Sequence, residues 1–103
     1  MDYIIRMSPK ALEDIESICD YVAKDGDDIA KNQAIIIMDA IERLRDFPNI
    51  GKSLQNFIEQ PTEYKYIVIN KVYLAFYLLE DNAVQIVRVF RKEQDYLLHL
   101  ELK

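Results

Sequence analysis

The chain has 103 residues, half of them apolar and 30% charged, with a formal net charge of −5. This reads as one globular domain over residues 1–103, without the roughly 18-residue apolar run of a membrane span or the basic and apolar leader of a signal peptide. One cysteine, Cys19, excludes an internal disulfide and fits a reducing cytoplasm.

Tyr3-Ile4-Ile5-Arg6 reads as a short first strand. Ser8-Pro9 is a helix start, since serine caps and proline suits the first turn. Ala11, Leu12, Ile15, Ile18, Cys19, Val22 and Ala23 then recur at helical spacing, with Glu13, Asp14, Glu16, Ser17 and Asp20 on the opposite, solvated face. Lys24-Asp25-Gly26-Asp27 breaks that helix. A second helix is expected from about Asp28 to Asp46, and its period runs straight through the apolar stretch Ile35-Ile36-Ile37-Met38. The stretch makes this helix apolar on more than one face, which asks for a second helix, a sheet or a partner to cover the excess.

Phe47-Pro48 ends the helix and Gly51 permits a turn. A connection over residues 52–63 leads to an antiparallel meander: Tyr64 to Ile69, a break at Asn70-Lys71, Val72 to Leu79, a break at Glu80-Asp81-Asn82, then Ala83 to Phe90. Both alternating sets of Val72 to Leu79 are apolar, so that strand is central and covered on both faces. In the last strand Gln85, Val87 and Val89 are expected on one face and Ile86, Arg88 and Phe90 on the other. The fold class is therefore α+β, in the order β-α-α-β-β-β: a helical hairpin on a small antiparallel sheet, with a short C-terminal helix.

Chemistry-bearing residues are few. His99 and Cys19 stand eighty residues apart, so no zinc spacing exists and no metal or other cofactor is expected. Gly26 and Gly51 form no phosphate cradle. Cys19 lies on an apolar stripe, as a packed thiol does. Residues 1–61 carry twelve Asp/Glu against seven Lys/Arg, and residues 62–103 six of each. Only a small basic patch in the C-terminal half remains for a nucleic acid. Its members are Lys65, Lys71, Arg88, Arg91 and Lys92, with Tyr96 beside them. Arg88 interrupts an apolar strand. It either pairs with a carboxylate such as Glu93 or Asp95 or projects from the open sheet face toward a partner.

The order of these pieces resembles the RelE/ParE superfamily of bacterial toxins. Ser8-Pro9-Lys10-Ala11-Leu12-Glu13-Asp14-Ile15 is similar to the family's first-helix opening, and Leu44 through Phe47-Pro48 to Gly51 to its helix exit. Tyr64-Lys65 stands where Tyr-Arg is common. Tyr73 to Tyr77, Ile86-Val87-Arg88-Val89 and Asp95-Tyr96-Leu97 resemble its central strand, its "I-x-R-V" strand and its ending. The resemblance implies the toxin of a type II toxin–antitoxin (plasmid stabilisation) module, bound by a cognate antitoxin, with higher-order complexes of the two as a further expectation.

Two activities follow from it. ParE-like members poison DNA gyrase without being enzymes; RelE-like members are metal-independent, ribosome-dependent mRNA endonucleases. A third reading is a non-toxic module that binds only an antitoxin peptide. The chain departs from the nuclease pattern, because Leu74 follows Tyr73 where an arginine is expected, and an acidic protein suits the ribosome poorly. The long hairpin favours the ParE-like branch. For it, Lys65, Arg88, Arg91 and Tyr96 are the expected target-binding residues; a nuclease would use Lys65, Arg91, Lys92 and Tyr96.

Overall fold

The computed structural model describes residues 3–56 and 61–93. Its elements are β1 (Ile4–Met7), α1 (Pro9–Val22), α2 (Asp27–Glu42), β2 (Lys52–Ser53), β3 (Lys65–Ile69), β4 (Tyr73–Glu80) and β5 (Ala83–Arg91). The strands form one sheet in the order β1-β5-β4-β3-β2, with α1 and α2 on one face. The expected C-terminal helix lies outside the described residues. Among the described residues no helix is long and apolar enough to cross a membrane.

α1 begins as its residues dictate. The Ser8 hydroxyl accepts the Ala11 N–H at 2.9 Å, and Pro9 takes the first helical position. The same hydroxyl donates to the Val87 carbonyl at 2.7 Å, fastening the cap to β5. Ala11, Ile15, Ile18 and Val22 pack on the sheet, whereas Leu12, expected on that stripe, is exposed. Ala23–Asp25 tighten into a 3-10 turn and Gly26 follows at φ 135°, where a side chain is rarely tolerated. α2 stays helical through Ile35-Met38, burying Ile37 and Ile41 while Ile35 and Met38 face outward. Its α-helical part stops at Glu42, short of the expected Asp46, because Arg43–Arg45 tighten into a second 3-10 turn ahead of Pro48.

The sheet differs from the expected one in three ways. It is mixed rather than wholly antiparallel: β1 runs parallel to β5, from Ile4 opposite Ala83 to Met7 opposite Ile86. Nothing in the four residues Ile4-Ile5-Arg6-Met7 encodes direction; it goes with the Ser8 cap, whose hydroxyl ties the start of α1 to β5. Secondly, the expected plain connection over 52–63 contains β2, paired with Lys65 and Tyr66. Thirdly, β5 carries a bulge at Val87, since Phe76 opposes Arg88 while Tyr77 opposes Ile86. The extra residue changes the parity of the strand. Val84, Ile86 and Val89 therefore enter the helix-side core, and Phe90 the opposite cluster.

β4 is central and buried on both faces, as expected. Tyr73, Ala75 and Tyr77 face the helices; Leu74 and Phe76 join Leu54 and Phe90 on the other side. The β3–β4 turn places Asn70 and Lys71 at φ 53° and 62°, closed by Val72 N–H donating to the Ile69 carbonyl at 3.0 Å. Two successive positive φ values match the right-handed twist of the strands they join.

Tyr77 locks the end of α2 to the sheet. Its phenol donates to the Pro48 carbonyl and accepts the Gly51 N–H, each at 2.9 Å. A Cβ on Gly51 would collide with the Tyr77 ring and the Tyr66 carbonyl. Burial pushes the Tyr77 phenol up, with the Gly51 hydrogen bond acting in the opposite, smaller sense; burial raises Tyr73 likewise, whose hydroxyl donates to Gln33 at 2.6 Å. A raised phenol favours the folded state only while protonated. Stability is thus intact below pH 10, the ordinary tyrosine value, and is lost as pH climbs through the raised values. Tyr77→Phe is expected to cost about 1–3 kcal/mol at neutral pH, by leaving the Pro48 and Gly51 groups unpaired, and to flatten the alkaline loss. Urea unfolding at pH 7 and pH 11 checks both.

Candidate target-binding surface

β1 pairs with β5 only as far as Ile86. Past that point α1 takes over the strand's edge. Ser8 N–H donates to the Ile86 carbonyl, the Ser8 hydroxyl to the Val87 carbonyl, and Val89 N–H to Asp14 Oδ2 at 2.9 Å. Arg88 donates to the same carboxylate twice, Nε to Oδ2 at 2.7 Å and Nη2 to Oδ1 at 2.9 Å. Its guanidinium lies 4.6 Å from the Phe90 ring centroid. Side-chain exposure is 17% for Arg88 and 15% for Asp14, so this is a bidentate, largely desolvated pair. Asp14 is therefore not on a solvated face. The carboxylate that holds Arg88 is Asp14, 74 residues away in sequence, rather than a neighbour such as Glu93 or Asp95.

Arg91 stands on the helix side, opposite Tyr73. Its guanidinium lies 4.3 Å from the Tyr21 ring centroid at the end of α1, and 3.4 Å from Glu93. Lys24 approaches the same ring at 5.4 Å. Lys92 donates its N–H to the Val72 carbonyl at 2.8 Å, which sets it beside the turn carrying Lys71. Lys24 and Arg91 thus flank the exposed Tyr21, and Lys92 lies beside the turn that carries Lys71. Asp20, Asp25 and Glu93 lie beside them in sequence, so the end is mixed in charge, with the cations flanking the aromatic ring.

Lys65 is elsewhere. It opposes Tyr77, while Arg91 opposes Tyr73, two strands away; strand rise and spacing put their Cα atoms roughly 17 Å apart. Leu74, where the nuclease pattern has an arginine, is buried against Phe76 and Phe90. Tyr96 lies outside the described residues. Arg91 and Lys92 share a neighbourhood; Lys65 and Arg88 join neither it nor each other. Among the described residues no group of three or more His, Cys, Asp or Glu side chains could hold a metal ion. Burial pushes the Cys19 thiol up, with Asp20 adding to it, the opposite of a reactive cysteine.

Sequence reasoning missed Asp14 and Tyr21. Asp14 sits among Glu13 and Glu16 with nothing local to mark it, and Tyr21 has no linear neighbour that announces Arg91.

The family model described as "ParE toxin of type II toxin-antitoxin system, parDE" matches residues 5–96. A solved structure, the "Chromosomal ParDE TA system from P. aeruginosa", is similar over 88% of this chain and 97% of that chain, at 18% identity and a TM-score of 0.76. At that identity the likeness is one of fold. No curated relative matches the chain.

Arg88→Ala leaves the Asp14 carboxylate with the Val89 N–H but without its counter-charge, and is expected to cost about 2 kcal/mol of stability. A double-mutant cycle with Asp14→Asn, read by urea unfolding, is expected to give a coupling above about 1 kcal/mol; additive costs would mean the pair contributes nothing.

Proposed function

The chain belongs to the ParE toxin family of type II toxin–antitoxin systems, and we propose that it arrests bacterial growth by binding and poisoning DNA gyrase. On this reading it works in the cytoplasm as a one-domain protein, held inactive by a cognate antitoxin in a complex that can assemble further.

The observation that carries gyrase poisoning over message cleavage is the dispersal of the cations. Cleavage by the neighbouring 2′-hydroxyl needs proton-transfer and charge-stabilising groups within about 3 Å of one phosphodiester. Here Lys65 and Arg91 stand at opposite ends of the meander, Arg88 is engaged by Asp14, and Leu74 replaces a cation with buried apolar volume. Poisoning a protein needs only a complementary surface. Arginine and tyrosine side by side are the residues that concentrate binding energy at interfaces, and Arg91 on Tyr21 with Lys92 and Lys71 adjacent supplies them. The net charge of −5 also directs the chain toward a protein rather than toward DNA or RNA itself. Arg91 and Lys92 are then the principal target contacts, Lys65 and Tyr96 secondary ones, and Arg88 a positioning residue that fixes β5.

Tightly induced expression in a host carrying a DNA-damage reporter tests the reading. Growth arrest with reporter induction is the expected result, and Arg91→Glu combined with Lys92→Glu is expected to raise the inducer dose for arrest by about tenfold or more without unfolding the protein. Arrest with a silent reporter would shift the target to the ribosome and the activity to mRNA cleavage. Unimpaired growth of cells making soluble protein would leave only an antitoxin-binding module.

A further inference from the structure

α2 is apolar on two sides. Ile37 and Ile41 are buried, and Ile36 and Ala40 pack against the same core. Ile35 and Met38 lie on the outer side, 57% and 41% exposed. Apolar side chains held together at the surface mark a face that another surface covers.

The residues in line with them identify that surface. Asp28, Lys31, Ile35, Met38 and Glu42 follow one another at alternating spacings of three and four residues, so they form one stripe along the helix. Asp28, Lys31 and Glu42 are exposed as well. Arg45, in the 3-10 turn that closes α2, extends the stripe by another step of three. Its Nε donates to Glu42 Oε1 at 2.7 Å and its Nη1 to the Tyr3 carbonyl at 3.3 Å, which holds the guanidinium at the stripe's end.

In chain order the stripe runs anion, cation, apolar, apolar, anion, cation. Reversed, it runs cation, anion, apolar, apolar, cation, anion. Every charge therefore meets its opposite when the stripe lies against a reversed copy of itself. A twofold axis passing between the levels of Ile36 and Ile37 sets Ile35 against Met38, Lys31 against Glu42 and Asp28 against Arg45, each contact being made twice. A parallel pair would oppose Lys31 to Lys31 and Glu42 to Glu42, which repel. A surface shaped for an unrelated partner has no reason to complement itself in this way.

We infer that the outer stripe of α2 is a self-association face, through which two copies of this chain pair with their α2 helices antiparallel. The pairing stands apart from the choice of cellular target. One helix from each copy makes a small contact, below roughly 1,200 Å² in total, so the dimer is weak and forms at micromolar concentrations.

Sedimentation velocity of the full-length protein from about 5 to about 500 µM is expected to raise the weight-average mass from 12.2 kDa toward twice that value. The amide signals of Lys31, Ile35, Met38 and Glu42 are expected to shift over the same range. Ile35→Glu, at an exposed position, should weaken association at least about tenfold with the circular dichroism unchanged. Lys31→Glu and Glu42→Lys each oppose like charges across the twofold axis, and each should be monomeric alone. Mixed in equal amounts they restore opposite charges at both crossings, so the mixture should associate again, a result that mere misfolding of either variant cannot give. A monomer throughout the range, shifts confined to residues outside the stripe, association unchanged by Ile35→Glu, or a mixture that stays monomeric would each overturn the pairing. Ile35 and Met38 signals that move only when the module's antitoxin is added would assign the face to that protein and overturn it too.

Discussion

A single carboxylate, that of Asp14, closes the side of the sheet that β1 leaves unfinished. Backbone N–H groups at a half-buried edge must find acceptors, and beyond Ile86 no strand among the described residues provides them for β5. Asp14 reaches from α1 to accept the Val89 N–H. A carboxylate brought out of water needs a counter-charge, and Arg88 supplies it in bidentate form. The guanidinium then rests on Phe90, a member of the cluster on the far face of the sheet. Helix, strand edge and both packed faces meet at one ion pair, and the edge is also closed to strand addition by another molecule.

The bulge at Val87 decides what that ion pair costs the surface. Without it, a strand that turns Ile86 toward the helices would turn Arg88 the same way and Val89 outward. With it, Val89 fills the helix-side core and Arg88 comes round the edge to Asp14. Arg91, three residues on, falls on the helix side against Tyr21. Two arginines of one strand are thereby separated into a structural role and a surface role by one inserted residue. On the opposite margin, among the described residues, β2 pairs with β3 only at Lys65 and Tyr66.

Much of this architecture is legible in the residues. Ser8-Pro9 and Gly26 punctuate the helices where the structure starts and breaks them, Pro48 follows the 3-10 turn that closes α2, and the turn at Asn70-Lys71 with that at Asp81-Asn82 delimits the meander. These signals are local: a cap, a backbone region, a missing N–H. What was not legible is set between distant segments. The direction of β1 depends on where α1 docks. The bulge is invisible because Ile86-Val87-Arg88-Val89-Phe90 offers apolar residues to either parity. The two-residue β2 is too short to carry a period. At the candidate surface, Arg88 and Arg91 could be recognised as cations out of place, but their opposite assignments follow from Asp14 and Tyr21, which reach them only in three dimensions.

The first strand and the first helix complete the last strand, and this has a consequence for synthesis. The helical hairpin can form as soon as its residues exist, because its contacts are local, but β5 closes both cores and is made late. Until then, α1 lacks the strand it packs on, and Asp14 has neither Arg88 nor the Val89 N–H. Pairings that span most of a chain delay folding, since their loop-closure entropy is lost before the contacts form. The contact between Arg91 and Tyr21 likewise joins the last strand to the first helix, and so comes into being only with the final strand.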